Sequence, residues 1–266
     1  MKPKSILGKT LYDHRLATFF WCIGLFLTLI MYISLYPSVS HTDDFAKAMA
    51  SLPESFQTIF GDLSIINTPE GYLQAELFSS VLPLIFVILA ISLGSNLIHR
   101  EEASGTLELL LVRPISRTRI IIEKLVALII IMILVCLSAL VGLLVGQLYV
   151  DFPISLANFT SAAFSSLAIG LFFGMISFAI TAAKPLKGLA IGLPAALFLL
   201  SFIVTGFADS VEFFEAIKYI SPFQYYQSID ILREGMRWLD LVILSFSSLF
   251  LIFYSLLVFR RRDVGV

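Results

Sequence analysis

The side chains best suited to chemistry are concentrated between residues 98 and 124, where the sequence reads IHREEASGTLELLLVRPISRTRIIIEK. This is the densest charged segment of the chain, and its ionisable groups are carboxylates, guanidinium groups, the imidazole of His99 and a single ammonium group. Groups of these types form charge-assisted hydrogen bonds with a partner. The segment contains none of the common catalytic motifs, so it predicts a contact surface and no catalytic residue.

Motifs for catalysis or nucleotide binding are absent from the sequence. Leu7-Gly8-Lys9-Thr10 resembles the end of a phosphate-binding loop, but the glycine required five positions before Gly8 is replaced by Pro3. There is no HExxH, GxSxG or CxxC motif, and the two cysteines lie in apolar runs as small packing residues. The histidines are scattered: His14, His41 and His99. We predict no metal site and no cofactor bound by this chain.

The composition excludes most soluble classes of protein. Of the 266 residues, 58% are hydrophobic and 14% are charged, against roughly 45–50% and 25% in an ordinary soluble domain. A soluble enzyme, a disordered protein and a nucleic-acid binder are all inconsistent with these values. Uncharged runs of about 20 residues, enough to cross ~30 Å of hydrocarbon, occur six times: Leu16–Tyr36, Leu77–Ile98, Leu125–Val150, Phe152–Ala183, Gly188–Ala208 and Leu241–Phe259.

The predicted fold is therefore an all-α polytopic membrane protein with six transmembrane helices in one domain over residues 1–266. Asp151-Phe152-Pro153 predicts a turn between the third and fourth helices, and the fourth is expected to begin near Leu156 and to end near Ala182. The spans are expected at about 16–36, 77–98, 121–150, 156–182, 188–208 and 239–259. The connecting segments of interest are a loop at 99–120 and two outer loops at 37–76 and 209–238.

The distribution of lysine and arginine predicts the orientation. Fourteen of the eighteen lie at the two termini and in the loops after the second and fourth spans. Because cytoplasmic loops are enriched in these residues, both termini are expected to be cytoplasmic. Thirteen of the nineteen acidic residues lie in the alternate loops. The net charge of −1 is thus a cancellation between two oppositely charged faces.

The six uncharged runs contain no Asp, Glu, Lys, Arg or His, which argues against proton antiport but leaves sodium coupling through backbone carbonyls open. Pairs of glycines four residues apart recur in three of the runs and predict close helix packing, within one chain or between subunits. These candidate packing or dimer-interface residues are Gly142, Gly146, Gly170, Gly174, Gly188 and Gly192.

The charged loop predicts a short amphipathic helix. Ser104, Gly105 and Thr106 are candidate N-cap residues, and the following leucines share one helical face at 107, 110 and 111. Pro114 is expected to end this helix, and Ser116 to cap the next one. The leucine face predicts contact either with the bilayer or with a protein partner.

This loop resembles the corresponding loop of ATP-binding-cassette (ABC) permeases of the type-2 exporter class, whose coupling helix inserts into a separate ATPase subunit. The resemblance rests on the loop pattern, the six spans and the chain length. It implies that the coupling residues are Glu101, Glu102, Gly105, Thr106, Glu108, Leu110, Leu111, Arg113 and Pro114. It also implies an ABC-type ATPase partner that carries ATP and Mg²⁺, and a second permease copy or a paralogue.

Two further segments carry expectations. The N-terminal stretch around Ile6 to Leu11 predicts a helix lying in the inner interface, in contact with lipid or with the ATPase. Ser221-Pro222 predicts a helix start, so the last outer loop is expected to form two short helices joined at this point. This arrangement resembles the re-entrant helices of type-2 permeases. The candidate residues of that loop are Glu212, Glu215, Pro222, Tyr225 and Tyr226.

The function expected from the sequence is the membrane subunit of an ATP-driven exporter in the plasma membrane, in contact with lipid and with no nucleic-acid partner. The alternatives are an ion-coupled secondary transporter or channel that works without an ATPase, and a membrane scaffold. A membrane-embedded enzyme has no catalytic cluster to support it.

Overall fold

The computed structural model describes residues 5–40, 68–106, 116–184, 186–208, 210–226 and 228–262. The described residues contain helices and no strand. The α-helices are α1 (Ile6–Ser40), α2 (Pro69–Leu73), α3 (Val81–Ala103), α4 (Arg117–Gly146), α5 (Leu156–Ala183), α6 (Lys187–Gly206), α7 (Glu212–Ile217), α8 (Ser228–Glu234) and α9 (Trp238–Arg261). A π-helical turn (Gln74–Phe78) and two 3₁₀ turns (Lys218–Ile220 and Pro222–Tyr225) complete the secondary structure.

Six helices of the described chain are long and apolar enough to cross a membrane, as predicted: α1, the α2–α3 unit, α4, α5, α6 and α9. Helix α5 is the centre of the bundle, and its most extensive contact is with α3. Helices α6 and α9 also pack on α5, whereas α1 lies along α4. The chain is therefore a multi-pass membrane protein with an all-helical bundle.

Capping side chains set two of the helix starts as the sequence predicted. The Ser116 hydroxyl accepts a hydrogen bond from the Arg119 amide at 3.3 Å, and α4 begins at Arg117. The Ser155 hydroxyl accepts from the Asn158 amide at 3.5 Å, and α5 begins at Leu156. Each serine satisfies one of the N–H groups that a helix start leaves without a partner.

The N-terminal segment differs from the expectation of a helix lying in the interface. It is the first part of α1, which runs unbroken from Ile6 to Ser40. No proline interrupts the sequence between Ile6 and Tyr36, so nothing forces a break before the apolar run. The predicted bounds of the first outer loop, 37 and 76, both lie in helical segments, because α1 extends to Ser40 and the α2–α3 unit begins at Pro69; residues 41–67 lie outside the described residues.

The glycine pairs of α4 and α5 lie at close contacts between helices of this chain. A Cβ atom on Gly142 or Gly146 would come within 2.9 or 2.6 Å of Leu29 or Ile33 of α1. On α5, a Cβ on Gly170 or Gly174 would come within 2.7 or 2.6 Å of Phe86 or Ala90 of α3. In α6, by contrast, Gly188 and Gly192 have no described atom within 4 Å of their Cβ positions. The α6 pair therefore leaves a smooth face open in the single chain.

The last outer loop folds into more pieces than the two predicted helices: α7, two 3₁₀ turns and α8. Pro222 is the first residue of the second 3₁₀ turn, as its position after Ser221 predicted. The Ser221 hydroxyl does not cap that turn; it lies 2.7 Å from the Ser201 hydroxyl and 2.8 Å from that of Thr205, both on α6. These tertiary hydrogen bonds fix the start of the turn on α6.

Candidate functional site

One end of the bundle carries the start of α1, the end of α3, the start of α4, the end of α5 and the end of α9; we call it the termini end. Polar contacts tie these elements together. The Leu7 amide of α1 donates to Oε2 of Glu123 on α4 at 2.9 Å, and the Lys9 ammonium lies 3.6 Å from Oε1 of Glu101 on α3. The start of α1 is therefore held by carboxylates from two other helices.

Lys124 is the most deeply buried charge at the termini end. Its side chain is only 2% exposed, and its ammonium lies 2.6 Å from Oε2 of Glu101. The same ammonium donates to the backbone carbonyl of Leu97. A buried ammonium is stable only when a counter-charge and acceptors surround it. Lys124 therefore binds α4 to the last turns of α3.

Arg262 performs the same task for the end of α9. Its Nη2 pairs with Oε1 of Glu102, and its Nη1 donates to the Thr181 carbonyl of α5 at 3.2 Å. The Arg262 carbonyl in turn accepts a hydrogen bond from Nη1 of Arg117. One guanidinium thus connects the ends of α3, α5 and α9, and the start of α4 contacts its backbone.

Glu101 and Glu102 are adjacent residues that pair with different neighbours. Glu101 faces Lys124 and Lys9, and Glu102 faces Arg262. The second carboxylate oxygen of Glu102 is buried and forms no hydrogen bond with any described residue. An acceptor of this kind can receive one further donor.

Three of the predicted cap residues, at 104–106, lie just after this pair, and the segment 107–115 that they were predicted to cap lies outside the described residues. Ser104 and Gly105 end α3: their amides donate to the carbonyls of Arg100 at 3.1 Å and Glu102 at 3.0 Å, and Gly105 has a φ of 66°. Glycine tolerates this left-handed conformation, which commonly ends helices. The Thr106 hydroxyl donates to the Glu101 carbonyl at 3.2 Å. The predicted coupling residues Glu108, Leu110, Leu111, Arg113 and Pro114 lie outside the described residues.

A cavity of about 240 Å³ lies between α1 and the end of α3. Its walls are polar and carry both charge signs, including Lys9, Asp13 and Arg100. In the described part of the chain, no group of three or more metal-ligating side chains could hold a metal ion. The described side chains at the termini end form ion pairs and hydrogen bonds.

The outer-loop candidates lie at the opposite end and are not brought into one site. Glu212 and Glu215 of α7 are exposed, and Glu215 lies 4.0 Å from the Lys218 ammonium. Tyr226 is buried: its hydroxyl donates to the Phe78 carbonyl at 2.7 Å and lies 2.9 Å from Oγ of Ser166. Tyr226 thus anchors the loop in the bundle.

A scan against protein families matches residues 5–264 to the model of the ABC-2 family transporter protein. The chain belongs to the ABC-2 transporter family. The match covers essentially the whole chain and confirms the resemblance inferred from the loop. Members of the ABC-2 permease family are the membrane components of their transporters. No curated protein matches the sequence in a direct comparison.

Sequence reasoning about this ABC-2 chain missed the partners of Glu101 and Glu102. In the sequence, Arg262 and Lys124 served only as positive charges that predict the membrane orientation. Their ion-pair partners could not be predicted because they lie 160 and 23 positions away along the chain. It also missed Asn158, whose side-chain amide donates to the carbonyls of Leu232 at 3.0 Å and Arg233 at 3.2 Å. A lysine one residue before an uncharged run is the only sequence signal for any of these contacts.

Proposed function

We propose that this chain is the permease subunit of an ABC exporter, which forms the substrate path and receives its driving force from a separate ATPase subunit. The observation that carries the proposal is the ion-pair network at the base of the loop after α3. Glu101 and Glu102 connect this base to α1, α4 and α9. A displacement of the loop by a partner would therefore act on three other helices.

The proposed orientation places the termini end in the cytoplasm, where an ATPase would dock. It is supported by the excess of lysine and arginine in the termini and in the loops after the second and fourth spans. In this orientation the loop at 99–120 lies on the ATPase side, and residues 101–114 are its proposed contact segment. ATP and Mg²⁺ would be bound by the partner, and ATP-driven closure of its dimer would switch access to the substrate path.

The proposed assembly contains two permease chains, either two copies or one copy and a paralogue, with two ATPase subunits. Support for a permease interface comes from the open glycine face of α6, because small residues allow close packing of helices in lipid. The proposed location is the plasma membrane.

Purification of the tagged chain from its native membrane tests this function. The wild-type chain is expected to retain an ABC-type ATPase whose activity it stimulates. Glu102→Gln, at the base of the loop, and Leu110→Glu, in the contact segment, are expected to lower both retention and stimulation. Glu215→Gln, an exposed residue at the opposite end, is the matched control and should leave both unchanged.

Unchanged retention and stimulation in both loop variants would contradict the coupling assignment. Robust flux through vesicles that hold the purified chain alone, driven by an ion gradient without ATP, would instead support the secondary transporter.

A further inference from the structure

An apolar groove runs along α5 and α9, and α6 forms a third wall in its half toward the termini end. Helices α6 and α9 both pack on α5, and both contact the Pro222–Tyr225 turn at the opposite end of the bundle. Toward the termini end their side chains leave a cavity of about 480 Å³. A second cavity of about 290 Å³ continues it toward the opposite end, and both are lined by Ile176 and Leu251. The two cavities are therefore parts of one groove.

The length of the groove matches one membrane leaflet. Its wall on the α5 side extends from Phe172 of α5 to Lys184, the residue after the helix, which corresponds to about 18 Å at 1.5 Å per residue. Half of the ~30 Å hydrocarbon core is about 15 Å. An extended acyl chain of one leaflet therefore has the length required to fill it.

The walls of the groove are apolar and its mouth is cationic. Leu189 and Leu193 of α6 and Val258 of α9 contribute hydrocarbon, and Lys184 is the one formally charged residue among its described lining residues. Lys187 begins α6 and Arg261 ends α9, so further positive charges lie at the same end. A hydrocarbon slot with cationic groups at its mouth complements an acyl chain that carries an anionic headgroup.

We propose that this groove binds one phospholipid with an anionic headgroup, its acyl chain along α5 and its phosphate beside Lys184. The lipid belongs to the leaflet at the termini end, which is the cytoplasmic leaflet in the proposed orientation. The site is separate from the open glycine face of α6. Leu189 follows Gly188 and Leu193 follows Gly192, so the two leucines are rotated by about 100° around the helix axis from the glycines.

Native mass spectrometry tests the proposal on the full chain released from nanodiscs that contain equal amounts of phosphatidylglycerol and phosphatidylcholine. The wild-type chain is expected to retain one phosphatidylglycerol in preference to phosphatidylcholine. Lys184→Gln should lower that preference roughly five-fold, the size expected for one lysine at a membrane surface. Arg15→Gln is the matched control, since Arg15 is exposed on α1, and it should retain the wild-type preference.

A second pair of variants tests the apolar part of the groove. Ala179→Phe fills it and should abolish retention of both lipids, whereas Leu137→Phe, on the exposed surface of α4, should not. The proposal is overturned if wild type retains the two lipids equally, or if Lys184→Gln and Ala179→Phe both behave as wild type. The Lys184→Gln result stands by itself if Ala179→Phe does not fold.

Cysteine cross-linking distinguishes a second copy of the chain as the occupant. In a background with Cys22→Ser and Cys136→Ser, Tyr254→Cys, on the α9 wall of the groove and away from the glycine face of α6, should form no disulfide between chains in the membrane. Efficient cross-linking at this position would place another protein chain in the groove and overturn the lipid assignment.

Discussion

The ammonium of Lys124 lies 2.6 Å from Oε2 of Glu101, at the point where the second and third spanning helices approach the termini end. Both side chains are largely removed from water, at 2% and 13% exposure. Each therefore depends on the other for its charge to be tolerated, and the pair fixes the base of the proposed coupling loop to α4.

Lys124→Met should destabilise the protein strongly, because it leaves the Glu101 carboxylate buried without its nearest counter-charge. The expected cost is about 3–5 kcal/mol, measured as a lower thermal unfolding temperature in detergent. Lys9→Met is the matched control, and its half-exposed ion pair at 3.6 Å should be worth about 1 kcal/mol or less. A double variant, Lys124→Met with Glu101→Met, should recover most of the loss. Equal stability of Lys124→Met and wild type would show that the pair is not structural.

Arg262→Gln should also lower the unfolding temperature, since it removes the ion pair with Glu102 and the hydrogen bond to the Thr181 carbonyl. A loss of about 1–3 kcal/mol is expected when such groups lose a partner. Arg261→Gln is the matched control: it removes the same positive charge at the neighbouring exposed position and should have little effect on the unfolding temperature. If the two variants lose the same stability, the specific contacts of Arg262 with Glu102 and Thr181 do not contribute to the stability of the protein.

Gly94→Ala should disrupt the α3–α5 interface, because its Cβ would lie 2.5 Å from the Gly174 carbonyl oxygen. Backbone cannot yield as a flexible side chain can, so overpacking is expected to cost about 1–3 kcal/mol. Gly188→Ala has space at its Cβ position, and the isolated chain should tolerate it. Thermal unfolding compares the two variants.

The same Gly188→Ala variant tests the proposed permease interface. If a second permease packs on this face, the added methyl group should weaken the dimer without lowering the stability of the single chain. The fraction of dimer in detergent or lipid, measured by cross-linking or light scattering, provides the readout. A dimer as stable as wild type would place the interface elsewhere.

Tyr226→Phe should loosen the last outer loop, because it removes the hydroxyl that donates to the Phe78 carbonyl at 2.7 Å. This contact is buried, so a cost of about 1–3 kcal/mol is expected. Tyr225→Phe removes a more exposed hydrogen bond to the Tyr219 carbonyl and should cost less. Hydrogen exchange of residues 218–226 should accelerate in Tyr226→Phe alone; acceleration in both variants would contradict a specific anchor.

Sequence patterns predict the spanning helices because each pattern acts locally. A long uncharged run must form helix in lipid to satisfy its own backbone groups, and Ser116 and Ser155 cap the helices that follow them. At Ser104 and Gly105 the sequence predicted only the start of the next helix, whereas the structure shows that both residues terminate the preceding helix, which extends to Ala103. Residues 107–115, which would form the predicted helix, lie outside the described residues.

The sequence by itself determined the class of protein, the number of spans and the position of the charged loop, because hydropathy and charge need no knowledge of neighbours. Only the tertiary structure decided that Glu101 faces Lys124, that Glu102 faces Arg262, and that the α5 glycines face α3 while those of α6 face no described atom. Which helices pack together depends on shape complementarity between side chains far apart in the chain. No local pattern contains that information.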